Sequence, residues 1–266
     1  MTIVRIALFG LFVIVALYAG AAAILYFSQR GIFYPAPRDY PREALPGFGS
    51  IETRTEDGLR LTALYRPAAP GHRTIVFFHG NGDNLAGAAE ATRGLAASGS
   101  GVLLVEYRGY AGNPGSPDEA GFYRDGEAAM NWLAGAGVAP SQIVIVGNSI
   151  GSGPATEMAL RHPVAGLILV SGFSSLPDVA GAHVRWLPVR ALVSDRFANA
   201  DKIARVHGEV LILHGDHDAL VSVANARRLH AARPRSTLTI VPGAGHELVY
   251  GEVAQRAMTD WVAGLR

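Results

Sequence analysis

The chain has 266 residues, enough for one α/β domain with an appendage, and its formal net charge of +1 gives no indication of a nucleic-acid partner. Hydrophobic residues make up 49% of the sequence and charged residues only 17%, below the roughly 25% of an ordinary soluble domain. Because cysteine is absent, disulfides, thiolate metal sites and cysteine nucleophiles are excluded.

An uncharged apolar stretch from Ile6 to Phe27 accounts for the low charge. As a helix it would extend about 33 Å, which is enough to cross a bilayer. We predict a single-pass membrane anchor in residues 1–30, with the helix itself at about 6–27. A cleaved signal peptide is the alternative, because the small residues from Ala19 to Ala23 would suit a peptidase.

The charges that flank this stretch do not agree on its orientation. Arg5 precedes it, whereas Arg30, Arg38 and Arg42 follow it, and the positive-inside rule would then keep the following domain in the cytoplasm. A short N-terminal tail before a single anchor instead favours export of that domain. We predict export, with the cytoplasmic orientation as the alternative.

Prolines and a hairpin signal mark the way from the anchor into the main domain. The prolines between Gln29 and Gly49 predict an extended linker, which we assign to residues 31–49. Alternating apolar residues on both sides of Asp57-Gly58 then predict a β-hairpin. Residues 50–266 are predicted to form the main domain.

From residue 74 onward, short apolar strands alternate with helices, which predicts an α/β fold with a mostly parallel sheet and helices on both faces. Residues 172–208 interrupt the alternation and are predicted to form a short lid. The predicted strands are Thr74–Phe78, Val102–Glu106, Ile143–Val146, Gly166–Val170, Val210–Leu213 and Thr237–Val241.

The strand that ends at Val146 runs directly into Gly147-Asn148-Ser149-Ile150-Gly151, a G-x-S-x-G pattern. The pentapeptide alone is weak evidence in a glycine-rich chain. A buried strand before it and a helix after it are the context in which it forms a nucleophile elbow, with the serine exposed at the strand end. The helix N-terminus behind Ser149 would offer N–H groups to a developing oxyanion.

The loop His79-Gly80-Asn81-Gly82 follows the strand Thr74–Phe78. Its glycines allow main-chain angles that aim N–H groups at a ligand, so the N–H of Asn81 is a predicted oxyanion donor. A glycine turn around a structural His79 is the alternative. A second loop carries Arg108, which we expect to hold that loop together by binding carbonyl groups.

Three residues with complementary chemistry each follow a predicted strand: Ser149, Asp218 and His246. A serine nucleophile needs a base, and a neutral histidine needs a third group to orient it. Because parallel strands end at one edge of the sheet, these residues can converge there. Asp216 is the rival for the acid.

Two further sets of residues carry alternative interpretations. His214 and His217 with their neighbouring aspartates could suggest a metal, but no second cluster completes a site, so we predict neither a metal nor a cofactor. Trp186, Leu187 and Val193 in the predicted lid are candidates for an acyl pocket, with simple core packing as the alternative.

Together these motifs resemble the α/β-hydrolase superfamily, and more narrowly its small membrane-anchored serine hydrolases, a group that includes protein depalmitoylases and lysophospholipid lipases. The resemblance covers the chain from about Gly31 onward. It implies a nucleophile at Ser149, a base at His246, an acid at Asp218 and oxyanion donors at Asn81 and Ile150. It rests on His79-Gly80-Asn81-Gly82, Tyr107-Arg108-Gly109-Tyr110, Gly147-Asn148-Ser149-Ile150-Gly151, His214-Gly215-Asp216-His217-Asp218 and Gly245-His246.

One loop departs from the pattern of that family. After Tyr110, Ala111 intervenes before Gly112, and Asn113-Pro114 adds length. The departure bears on substrate specificity, because this loop does not carry the predicted catalytic groups.

The predicted function is hydrolysis of carboxylic ester or thioester bonds through an acyl-enzyme. The alternatives are a peptidase of the same fold and a catalytically inactive binding protein. The expected partners are a small or lipid-like acyl substrate and, through the N-terminal helix, the membrane; the sequence is silent on oligomeric state. Since every predicted catalytic residue lies beyond Gly31, we expect removal of residues 1–30 to leave an active enzyme.

Overall fold

The computed structural model describes residues 2–37 and 45–265, within which eight strands form a single sheet. The strands are β1 (Gly49–Arg54), β2 (Arg60–Arg66), β3 (Thr74–Phe78), β4 (Gly101–Val105), β5 (Ile143–Asn148), β6 (Gly166–Val170), β7 (Glu209–Gly215) and β8 (Thr237–Val241). Their order is β1-β2-β4-β3-β5-β6-β7-β8. Strand β2 is antiparallel to β1 and β4, and the other neighbours are parallel. The predicted mostly parallel sheet with an antiparallel entry is thereby confirmed.

Helices cover both faces of this sheet, as predicted. In the described residues they are α1 (Thr2–Phe33), α2 (Leu85–Ala91), α3 (Arg93–Ala97), α4 (Glu119–Gly135), α5 (Ser152–Arg161), α6 (Leu176–His183), α7 (Val189–Leu192), α8 (Asn199–Ile203), α9 (Ala224–Ala232) and α10 (Glu252–Gly264). Helices α4, α5, α8 and α9 contribute to the core on one face, and α2, α3 and α10 to the core on the other.

The central strands are apolar on both sides because both sides are covered. Every residue of β3 to β6 is buried. In β3, Val76 and Phe78 enter one core, while Ile75 and Phe77 enter the other. This alternation is the period of two that a strand imposes on its side chains. The polar residues of β3 to β6 are Thr74, at the start of β3, and Asn148, at the end of β5. The polar side chains that follow the parallel strands therefore meet at the edge where these strands end.

The N-terminal helix is longer than predicted, and it shortens the predicted linker. Helix α1 continues through Phe33, so Gln29–Phe33 is helical rather than extended. The reason is that the first proline is Pro35, and the residue before a proline avoids helical angles. That residue, Tyr34, is buried and donates its hydroxyl proton to Asp195 Oδ2 at 2.6 Å. Of the predicted linker, residues 38–44 lie outside the described part of the chain.

Helix α1 has the properties of a membrane-spanning segment. Residues Ile3–Phe33 form a helix whose most apolar 18-residue window has a mean hydropathy of 2.5 and contains no buried residue. Large apolar side chains such as Phe9, Phe12 and Leu17 are more than half exposed. The segment is long and apolar enough to cross a bilayer, which makes it a candidate transmembrane span.

The segment predicted as a lid holds three short helices. Helices α6, α7 and α8 lie between β6 and β7. Phe197, just before α8, is fully buried and comes so close to α5 that a Cβ on Gly153 would lie 2.2 Å from its ring. The glycine in α5 therefore lets the segment pack against the helix that follows Ser149.

Arg108 binds carboxylates rather than the carbonyl groups we expected. The guanidinium donates to Asp125 Oδ1 at 2.9 Å through Nε and to Asp57 Oδ2 at 2.7 Å through Nη1. Arg108 and Asp125 are both buried, so each charge needs the other for compensation. The residue ties the β1–β2 turn, the loop after β4 and helix α4 together.

Candidate active site

Ser149 sits in a strained turn at the end of β5. Its φ angle is +51°, in the left-handed region that costs a residue with a Cβ roughly 1–2 kcal/mol. The glycines around it are required by space: a Cβ on Gly151 would lie 2.1 Å from the carbonyl oxygen of Phe78, and one on Gly147 2.6 Å from Cβ of Ala155. The sequence pattern therefore folds here into the sharp strand–turn–helix unit that a nucleophile elbow requires.

The three residues predicted to cooperate lie in one hydrogen-bonded row. His246 Nε2 is 2.9 Å from Ser149 Oγ, and His246 Nδ1 is 2.8 Å from Asp218 Oδ2. Ser149 follows β5, Asp218 follows β7 and His246 follows β8, so the common edge of the parallel strands brings them together. Ser149 is 8% exposed, which leaves its hydroxyl reachable from the adjoining cavity.

The surroundings of Asp218 favour its charged form. Oδ1 accepts hydrogen bonds from the N–H groups of Leu220 at 2.9 Å and Val221 at 2.8 Å. Burial by itself would raise the pKa of the carboxyl group, but the hydrogen bonds from His246 and from Val221 outweigh it, and the pKa lies below its usual value. In general, a charged, fixed carboxylate next to Nδ1 of a histidine favours the proton on that nitrogen and leaves Nε2 free to act as a base.

Asp216, the rival for the acid, points elsewhere. Its Oδ1 accepts the N–H of Gly243 at 2.7 Å, and its side chain is 39% exposed. It thus fixes the turn that precedes His246 without contacting the imidazole. Of the two aspartates, Asp218 is the one that can orient His246.

The histidines and aspartates that raised the metal alternative have different surroundings in the structure. His214 is buried and its Nε2 is 2.7 Å from the carbonyl oxygen of Val221, whereas the side chain of His217 is 74% exposed. Within residues 2–37 and 45–265, no group of three or more histidine and carboxylate side chains is arranged to hold a metal ion. The two histidines of the motif have separate structural surroundings.

Asn81 and Ile150, the predicted oxyanion donors, both border the cavity that Ser149 faces. The side chain of Asn81 is held by the hydroxyl of Tyr110, which donates to Oδ1 at 2.8 Å. The loop also lies close to the elbow, since a Cβ on Gly80 would be 3.2 Å from Nδ2 of Asn148. The loop that carries Asn81 and the turn that carries Ile150 thus both border the cavity next to Ser149.

His79 holds this loop from below, in the structural role that stood as an alternative. Its Nε2 is 3.0 Å from Glu106 Oε1, and its Nδ1 is 2.8 Å from the carbonyl oxygen of Gly80. Burial opposes a charge on the imidazole, but the Glu106 carboxylate outweighs it and raises the pKa of His79. The sequence analysis missed Glu106, although His79 and Glu106 follow neighbouring strands β3 and β4.

Ser149 opens into a cavity of about 340 Å³ with an almost wholly apolar lining. The lid segment contributes Val189 and Val193 to its wall. Of the three residues predicted for an acyl pocket, Val193 lines this cavity, whereas Trp186 and Leu187 do not. Trp186 is 62% exposed and packs edge-on against Tyr18 of α1, and Leu187 is buried away from the cavity. The turn before α7 directs these two side chains outward and inward, so the helix that follows supplies the lining instead.

Helix α1 supplies the part of the lining that the sequence analysis did not anticipate. Its cavity residues are Leu25, Tyr26, Gln29, Ile32 and Phe33. The available signal was the spacing of Leu25, Ile32 and Phe33, which lie at helical intervals of three or four residues from Gln29.

Comparison with known proteins identifies relatives that match most of the chain. The family model described as alpha/beta hydrolase fold matches residues 73–205. An uncharacterized protein of Mycobacterium tuberculosis is 37% identical over 251 residues, which cover 90% of this chain and 89% of the relative. The human alpha/beta hydrolase domain-containing protein 17B is 31% identical over 247 residues, which cover 90% of this chain and 82% of the relative.

Solved structures share the fold at low sequence identity. An alpha-beta hydrolase from Vibrio vulnificus superposes with a TM-score of 0.71 at 22% identity, covering 90% of this chain and 91% of that one. An esterase from Pyrococcus furiosus superposes with a TM-score of 0.71 at 18% identity, covering 86% of this chain and 96% of that one.

Proposed function

The chain belongs to the α/β-hydrolase family, and from that premise we propose that it is a serine hydrolase that cleaves carboxylic ester or thioester bonds of acyl substrates. The observation that carries the proposal is the position of His246, whose two ring nitrogens contact Ser149 Oγ at 2.9 Å and Asp218 Oδ2 at 2.8 Å. A base within hydrogen-bond reach of a hydroxyl, and oriented by a carboxylate, is the requirement for an activated serine.

In the proposed first step, Ser149 Oγ attacks the acyl carbonyl carbon while His246 Nε2 accepts the hydroxyl proton. Asp218 stabilises the imidazolium that results. The main-chain N–H groups of Asn81 and Ile150 donate to the oxyanion of the tetrahedral intermediate, a contribution worth on the order of 10²–10³-fold per donor in serine hydrolases. The C–O or C–S bond then breaks, His246 protonates the leaving group, and the acyl group remains on Ser149.

In the second step, water replaces the leaving group. His246 Nε2 takes a proton from the water as its oxygen attacks the acyl carbonyl, and the same oxyanion donors stabilise the new intermediate. Collapse of that intermediate releases the carboxylic acid and returns the proton to Ser149. The apolar cavity beside Ser149 supports an acyl chain, rather than a polar peptide, as the group that is transferred.

Turnover of matched substrates tests this proposal. Purified full-length protein in mild detergent is offered a short-chain p-nitrophenyl ester, the corresponding thioester and the corresponding p-nitroanilide. We expect hydrolysis of the ester and the thioester and little of the anilide. Hydrolysis of the anilide alone would indicate a peptidase, and folded protein that hydrolyses none of the three would indicate a binding protein.

We further propose that α1 is an uncleaved single-pass anchor, because the helix is continuous from Thr2 to Phe33 and exposes large apolar side chains along most of its length. A helix of this size that is inserted into a bilayer is held there far more strongly than a protein with one acyl chain. We expect the protein to stay in the membrane pellet through high-salt and alkaline washes. Its release, or a mature protein that begins near Ala22 or Ile24, would contradict an uncleaved anchor.

The side of the membrane is a separate proposal: the domain beyond α1 is exported. Protease added to intact spheroplasts of a bacterial expression host is expected to digest it. A domain that resists protease until the cells are lysed would instead follow the arginines that flank α1 and lie in the cytoplasm.

A further inference from the structure

Five of the cavity-lining residues belong to α1, a helix whose composition suggests only an anchor. They are Leu25, Tyr26, Gln29, Ile32 and Phe33. The other four lie three or four residues before or after Gln29, so all five lie on one face of the helix. The residues across the cavity come from α6 and α7, among them Val179 and Leu192. The cavity is therefore enclosed between the lid segment and the end of the N-terminal helix.

Polar contacts fix this end of α1 on the lid segment. Gln29 Oε1 accepts the N–H of Ser194 at 2.8 Å, and Gln29 Nε2 donates to the carbonyl oxygen of Leu192 at 3.3 Å. Directly after the helix, the hydroxyl of Tyr34 donates to Asp195 at 2.6 Å. One glutamine in an apolar helix thus satisfies two main-chain groups of a partner segment, which a freely moving tether would not do.

The length of α1 allows it to span the membrane and still supply this wall. The 20 uncharged residues from Ile6 to Leu25 extend about 30 Å as a helix, which equals the hydrocarbon thickness of a bilayer. The helix from Tyr26 onward then emerges at the membrane surface, with Leu25 at its edge.

The opening of the cavity is bordered by apolar and aromatic side chains. Ile32 is 57% exposed, Leu220 is 52% exposed and Tyr26 is 45% exposed, yet all three line the cavity. Half-exposed lining residues mark the rim, and this rim offers little to a polar group. An acyl chain that extends from Ser149 would pass between α1 and the lid segment and contact Leu25 and Phe33.

On the basis of the hydrolase function proposed above, we propose that the C-terminal part of α1, Leu25–Phe33, is a wall of the acyl-binding site and sets the acyl chain length that the enzyme prefers. The substrate class is then an ester or thioester whose acyl chain is long enough to reach α1. Each methylene buried there is worth about a three- to fourfold gain in kcat/KM. Short chains that end before the helix gain nothing from it.

Two adjacent residues of α1 provide a matched pair of variants. Leu25 is half-buried and lines the cavity, whereas Ile24 is 70% exposed and does not. Full-length Leu25→Trp and Ile24→Trp proteins are assayed with p-nitrophenyl esters of about four to about sixteen carbons, a bracket suited to a pocket of a few hundred Å³. Ile32→Trp, on the cavity face, replaces Leu25→Trp if that protein does not fold.

We expect the loss in kcat/KM of Leu25→Trp to grow with chain length and to be at least about tenfold larger for the longest ester than for the shortest, because the indole displaces about two methylenes. Ile24→Trp should keep the chain-length profile of the unmodified protein. Identical profiles for the two variants would overturn the proposal.

Equilibrium binding of palmitic acid separates this proposal from the hydrolase function on which it rests. We expect Leu25→Trp to weaken binding about tenfold and Ile24→Trp to leave it unchanged. If no ester is hydrolysed, the hydrolase function fails, and the binding comparison decides the role of α1 by itself. Equal palmitic acid affinity in both variants would contradict the wall.

Discussion

Replacing Ser149 with alanine is expected to lower kcat by about 10⁴-fold or more while the fold and the membrane association persist. The reason is that His246 Nε2 lies 2.9 Å from Ser149 Oγ and would have no nucleophile to activate once that oxygen is removed. Initial rates on a short-chain ester, together with circular dichroism of both proteins, provide the measurement.

Ser152 provides the matched control for this substitution. It lies one turn further along the chain, is fully buried, and its Oγ accepts a hydrogen bond from Asn199 Nδ2 at 3.2 Å. Ser152→Ala removes a buried hydroxyl of the same kind without touching His246, so we expect kcat to change by no more than a few-fold. Loss of activity in Ser152→Ala with activity retained in Ser149→Ala would mean that the elbow is misplaced.

The second large effect is expected for Asp218→Asn, which should lower kcat by roughly 10⁴-fold. The amide oxygen can still accept the N–H groups of Leu220 and Val221, so the loop keeps its shape. The amide nitrogen then faces His246 Nδ1 and donates to it. This forces the proton of the imidazole onto Nε2, and the protonated Nε2 can no longer accept the proton of Ser149.

Asp216→Asn is the comparison that isolates this effect. The amide oxygen of an asparagine can accept the N–H of Gly243 just as Asp216 does, and the side chain does not contact His246. We therefore expect kcat to stay within a few-fold of that of the unmodified protein. The reverse ranking of the two variants would assign the acid to Asp216.

The hydrogen-bonded row of Ser149, His246 and Asp218 was predictable because its geometry follows from the topology. Once β5, β7 and β8 are recognised as parallel strands, the residues after them share one edge, and Ser149, Asp218 and His246 need no other information to be placed together. The same argument would have paired His79 with Glu106, since both follow neighbouring parallel strands. The glycine pattern of the loop indicates contacts with a ligand and gives no sign of the side chains that support the loop.

The partners of long polar side chains were not predictable in this way. Arg108 reaches Asp57, 51 residues before it, and Asp125, 17 residues after it. The carboxylate that a long, flexible arginine side chain contacts depends on how the hairpin packs against α4. The residues next to Arg108 in the sequence do not indicate that packing. The direction of the Trp186 side chain was not predictable for a related reason. Residues 184–188 lie between α6 and α7, so no helical period indicates which way that side chain faces.

The role of α1 shows a more general limit of hydropathy. An apolar helix indicates an apolar environment, but the pattern is the same whether a lipid tail or a protein surface provides it. The expectation that residues 1–30 are dispensable rests on the position of every predicted catalytic residue beyond Gly31, and it gives α1 no role except that of an anchor. Under the proposed acyl wall, such a truncation removes Leu25, Tyr26 and Gln29 from the cavity and should reduce activity on long chains.

The central claim is that Ser149 is an activated nucleophile, and covalent labelling tests it most directly. Full-length protein is treated with a fluorophosphonate, digested, and the adduct is located by peptide mass spectrometry. The account predicts one stoichiometric adduct on Ser149, absent from heat-denatured protein and strongly reduced in Asp218→Asn. Folded protein that hydrolyses esters without labelling at Ser149, or that labels at Ser152 instead, would contradict it.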